Sequence, residues 1–79
     1  MKRCNFYFDR NLAAKKNMNW EFKNNRLLWN LLEESGAEPG LIDCNTSMEH
    51  YIIMIDVSKN VTIKNKLPDE VLRYEFENV

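Results

Sequence analysis

The stretch Trp20-Glu-Phe-Lys-Asn-Asn-Arg-Leu-Leu-Trp-Asn-Leu-Leu-Glu-Glu-Ser35 decides the fold class. At about 100° per residue, Trp20, Leu27, Leu28, Leu31 and Leu32 fall within roughly 140° of one another, the apolar stripe of a packed helix. Gly36 follows as the left-handed terminator, and Pro39-Gly40 blocks any continuation. The sequence on either side of this helix reads differently.

Upstream, Cys4-Asn-Phe-Tyr-Phe-Asp9 is β-prone, with Cys4, Phe6 and Phe8 on one face and Tyr7 on the other. Asp9 is placed to cap a short helix over Arg10–Lys16, and Asn19 is a second candidate cap after the interruption at 17–19. Downstream the period changes. Leu41–Cys44 reads as a short edge strand. His50-Tyr-Ile-Ile-Met-Ile-Asp-Val57 is apolar on both sides of its centre, the pattern of a strand covered on two faces. Ser58-Lys-Asn60 is turn chemistry, and Val61–Lys66 alternates with Val61 and Ile63 inward, so residues 50–66 are expected to form a β-hairpin.

The C-terminus admits two readings. Pro68-Asp-Glu70 suits a helix start, yet Leu72-Arg-Tyr-Glu-Phe-Glu77 alternates as a strand should, and the strand is preferred. The expected architecture is therefore α+β: a small antiparallel meander sheet with one principal amphipathic helix, at about residues 20–35, packed on it. Leu27, Leu31, Ile53, Ile55 and Ile63 are expected in one core.

The 79-residue chain, at 9.5 kDa, is expected to form a single compact domain over 1–79. Size scaling gives about 5,000 Å² of surface for a folded chain of this mass, enough for one modest core and no second. Net charge is −1, but it is segregated. Residues 1–32 hold seven basic side chains against two acids, and residues 33–79 hold four against ten. Eleven Asn against three Ala is the bias an AT-rich genome produces, which fits phages, other mobile elements and low-GC bacteria.

Cys4 and Cys44 match no zinc spacing, CxxC motif or multi-bridge framework. The N-terminus shows no secretory h-region and no apolar run is long enough to span a membrane, so a cytoplasmic location with free thiols is expected. A Cys4–Cys44 cross-link is the alternative for a chain exported by an unusual route. Neither of the phosphate-cradling glycine motifs occurs, and the chain has only two glycines. No cofactor and no metal are expected. A Cys44–His50–acid trio is formally available, but no Gly-rich elbow follows Cys44 to bind an oxyanion, and the protein is expected not to be an enzyme.

Two binding readings remain. Phe22 and Trp29 are seven residues apart, on one line of the helix and about 140° from the centre of the leucine stripe. Either a second layer covers them, or they form an exposed aromatic pair, the kind of anchor on which interfaces concentrate energy. The second alternative gives the leading expectation, a small non-enzymatic protein-binding module, such as an inhibitor, with Phe22, Trp29, Lys23, Arg26 and Glu33 as its contact residues and self-association as one outcome. The alternative is a nucleic-acid-binding module using residues 10–26. Arg10, Lys15, Lys16, Lys23 and Arg26 would neutralise phosphates, and Trp20 or Phe22 would stack on bases.

Overall fold

The computed structural model describes residues 1–11 and 18–79. The elements are β1 (Lys2–Asp9), α1 (Met18–Glu34), β2 (Ile42–Thr46), β3 (His50–Val57) and β4 (Val71–Asn78). All strand pairings are antiparallel, and the spatial order is β2-β3-β1-β4. The expected α+β class, with one helix packed on an antiparallel sheet, is what forms. The strands do not follow one another across the sheet as a meander does; only β2 and β3 are sequential neighbours, and β1 sits between β3 and β4.

The register explains why β1 takes the centre. Cys4, Phe6 and Phe8 stand on one face opposite Ile55, Ile53 and Tyr51 of β3, and all six side chains are fully buried. On the other side Cys4 and Phe6 face Phe76 and Tyr74 of β4. Two fully buried aromatics in alternate positions need cover along the whole inner face of this strand, which a neighbour on each side provides. A register shift between Tyr7 and Phe8 lets β4 begin at Val71 opposite Phe8. The turn before β4 is closed by Val71 N–H donating to Pro68 O at 3.0 Å. The strand reading of the C-terminus is therefore the one that forms.

Leu28, Leu31 and Leu32 of α1 complete the core with Ala37 and Val57. The helix ends in a Schellman arrangement. Ala37 N–H donates to Leu32 O at 3.0 Å, Gly36 N–H donates to Glu33 O at 3.1 Å, and Gly36 has φ of 96°. Buried Ala37 lies over buried Leu32, the apolar contact that accompanies this motif. At the other end, Asn19 lies within α1 and is not its cap. Asp9 does accept from the Asn11 amide at 2.8 Å, and Arg10 and Asn11 are helical; the rest of the expected 10–16 helix lies outside the described residues.

Three further expectations are corrected. Residues 61–66 form no strand, because β3 has β2 on one side and β1 on the other and offers no edge to pair with. Val61 and Ile63 still pack on the core, from an irregular segment pinned by Ile63 N–H to Tyr74 Oη at 3.3 Å and Lys64 N–H to Ser35 Oγ at 3.1 Å. Leu27 is 39% exposed and outside the core, since the helix is turned toward Trp29. Ile52 and Met54 are half-buried on a sheet face that no described element covers, so β3 is not enclosed on both sides.

The accessible surface is 5218 Å², in line with the size scaling. Truncating Leu31 to Ala is expected to cost about 2–5 kcal/mol by leaving a cavity in the core. Gly36→Ala is expected to cost roughly 1–2 kcal/mol, because an added Cβ meets no neighbour and only the left-handed backbone resists it. Urea unfolding of both variants checks the pair.

Candidate protein-binding groove

α1 and the β2 edge leave a shallow groove between them, of about 440 Å³, lined by Phe22, Asn25, Arg26, Trp29 and Ile42. The helix supplies four of these because positions 22, 25, 26 and 29 share one side at its 3.6-residue period. Phe22 is 70% exposed, an aromatic ring held in water on a regular helix. Trp29 is half-buried and packs against the core, and half-buried Ile42 forms the opposite wall from the start of β2. Asn25 Oδ1 is buried without a hydrogen-bond partner among the described residues.

The five residues expected to form the contact strip are thus only partly gathered. Phe22, Arg26 and Trp29 meet in the groove. Lys23 and Glu33 are exposed on α1 but do not line it. Phe22 and Trp29 are not equivalent: one is free of the core and the other is a member of its rim. Two lining residues escaped sequence reasoning. Asn25 lies between Phe22 and Trp29 at helical spacing, a signal that was present. Ile42 is brought there by the sheet order, for which no local signal exists.

The basic segment is less well disposed toward bases. Trp20 belongs to an aromatic cluster with Phe8 at 5.5 Å and Tyr51 at 5.9 Å, and its Nε1 donates to Glu70 Oε2 at 3.0 Å. The Arg10 guanidinium donates to Met48 O at 3.0 Å. Lys15 and Lys16 lie outside the described residues.

Cys44 and His50 do not meet. Cys44 is opposite Ile53, three residues from His50, and that odd separation puts the two side chains on opposite faces of the sheet. The His50 ring sits edge-on to Tyr7 at 5.3 Å. Both cysteines are free, with the whole of β3 between their strands, beyond the reach of a disulfide. Tyr51, buried over the core, has its hydroxyl proton held more tightly than usual by burial, with hydrogen bonds to Cys44 and Glu21 adding to the effect. Among the described residues no three His, Cys, Asp or Glu side chains are grouped to hold a metal ion, and no helix is long and apolar enough to cross a membrane.

A second concavity, of about 370 Å³, lies at the other end of the sheet between Met1, Glu38, Gly40, Asp56, Val57 and Ser58. It offers no exposed aromatic anchor. No family model, curated protein or solved structure matches the chain.

Burial pushes the Cys4 thiol up to about 12, so it stays protonated and inert at neutral pH, whereas Cys44 is only half-buried. Titration of the native protein with a thiol reagent at mildly alkaline pH is expected to label Cys44 first. Cys4 is expected to react only after unfolding.

Proposed function

We propose that this chain is a small, non-enzymatic protein-binding module that acts by occluding a partner through the α1–β2 groove. The exposed Phe22 ring beside the Trp29 rim carries this reading. An aromatic side chain gains most when it passes from water into a desolvated pocket, and interfaces concentrate their energy on such anchors. The lining also states what the partner must offer: an apolar side chain to lie against Phe22, Trp29 and Ile42. Carboxylates would suit Arg26 and the neighbouring Lys23. An inhibitor of larger machinery is one protein of this kind.

The nucleic-acid reading is the runner-up. It keeps the exposed cations Lys23 and Arg26, but Trp20 is committed to the aromatic cluster and Phe22 alone remains to stack. A salt gradient on a heparin column separates the two readings, since a phosphate binder elutes with steep salt dependence.

Phe22→Ala is the clean probe of the groove, because Trp29 contributes to the core as well. An anchor of this type is commonly worth about 2 kcal/mol or more, roughly thirty-fold in affinity. Phe22→Ala is expected to weaken partner capture by that factor while stability stays within about 0.5 kcal/mol of the parent. Trp29→Ala is expected to lower both. The check is quantitative capture from cells of the source organism with parent, Phe22→Ala and Arg26→Glu baits, beside thermal melts of each. Equal capture by all three baits would remove the groove from the function.

A further inference from the structure

The two edges of the sheet are finished differently. Asp56 N–H donates to Leu41 O at 2.9 Å, which fixes the alternation of the β2–β3 ladder and turns the amides of Cys44 and Thr46 away from the sheet. Each of those amides is taken by the side chain before it. Cys44 N–H donates to Asp43 Oδ1 at 2.8 Å, and Thr46 N–H donates to Asn45 Oδ1 at 2.9 Å. A strand arriving at this edge would find both donors occupied.

β4 has no such finish. Val79 N–H donates to Met1 O at 3.2 Å, which directs the odd-numbered residues of the ladder toward β1 and leaves the backbone groups of Tyr74, Phe76 and Asn78 facing outward. Its eight residues contain no Pro or Lys; its charges, Arg73, Glu75 and Glu77, are of both signs, and the register shift lies at its start, away from Tyr74 to Asn78. Among the described residues no strand pairs with its outer side. Leu72, beside the register shift, is 59% exposed.

We propose that a second copy of this chain pairs with this edge, β4 against β4 and antiparallel, about a two-fold axis perpendicular to the sheet. The two four-stranded sheets then become one continuous sheet. Charge selects the register. Pairing centred on Tyr74 places Arg73 opposite the partner's Glu75, and Glu75 opposite the partner's Arg73, on the outer face. The same register lays Leu72 against the partner's Phe76 on the inner face. Centring on Glu75 would set two carboxylates against each other, and centring on Phe76 would set Glu75 against the partner's Glu77. Registers between these would oppose an outer face to an inner one. Arg73 and Glu75 are each half-exposed and already 3.0 Å apart within one chain, so the two-fold assembles four alternating charges. This surface lies at the opposite edge from the α1–β2 groove and does not depend on it.

Charge reversal tests the pairing. Arg73→Glu sets like charges against Glu75 twice across the axis, and Glu75→Arg does the same with Arg73. Sedimentation equilibrium from micromolar to millimolar concentration is expected to show a parent homodimer and at least about tenfold weaker association for each variant alone. An equimolar mixture of the two variants is expected to recover association as a heterodimer, because every cross-strand pair is then opposite in sign. Recovery on mixing cannot come from a folding defect, and melts of each variant alone provide the control. A parent that stays monomeric throughout, a homodimer indifferent to both reversals, or folded variants that fail to associate when mixed would each overturn the proposal.

Discussion

Burial of the Phe6 and Phe8 side chains in the central strand is the constraint on which the rest of the structure depends. β1 is the one strand with a neighbour on each side from a distant part of the sequence: β3 some fifty residues on, and β4 at the far end of the chain. Until both arrive, two aromatic rings remain in water and the ladder groups of β1 lack partners. Both neighbours depend on long-range closure, the slow kind of contact to form. The helix cannot substitute for either, since Leu28, Leu31 and Leu32 need the sheet's inner face as their own cover.

Local patterns carry the elements of this fold well and their arrangement poorly. The leucine stripe and Gly36 read directly because helix periodicity and a left-handed cap are local properties. The C-terminal alternation at 72–77 was likewise legible once weighed against Pro68. Residues 61–66 alternate just as cleanly and form no strand, because strand formation needs a free edge and β3 has none left. Asn24 shows a different limit: it is buried in the helix's core face with its Nδ2 donating to Trp20 O at 2.9 Å. A polar residue satisfied within its own helix is invisible to an apolar pattern. The groove was half-legible for the same reason. The wheel placed Phe22 and Trp29 on one line, but which side of the stripe meets the sheet is settled by packing, and it took Trp29 inward and left Leu27 out.

The charge segregation seen along the chain survives only locally, since α1 carries Glu21, Glu33 and Glu34 beside Lys23 and Arg26. The sheet face that no described element covers carries Arg3 and Arg73 among Asp9, Asp43, Asp56, Glu75 and Glu77, while α1 presents Arg26 in the groove and Lys23 outside it. Within the sheet the cations are paired: Arg3 Nε donates to Asp56 Oδ1 at 2.9 Å, and Arg73 lies over the Tyr7 ring at 3.9 Å. The Tyr7 hydroxyl donates to Glu75, a bond that holds this carboxyl below its usual range and the phenol above its own. Among the described residues the outer sheet face is thus net acidic, with a local pair of cations on α1.

Native-state hydrogen exchange tests the central placement of β1 most directly. A strand hydrogen-bonded on both sides has every amide protected, whereas an edge strand protects alternate ones. The amides from Arg3 to Phe8 are expected to exchange only through global unfolding, without alternation. In β2, by contrast, Asp43 and Asn45 are expected to be protected more strongly than Cys44 and Thr46. An alternating pattern of fast and slow exchange along β1 would place it at an edge and contradict the sheet order.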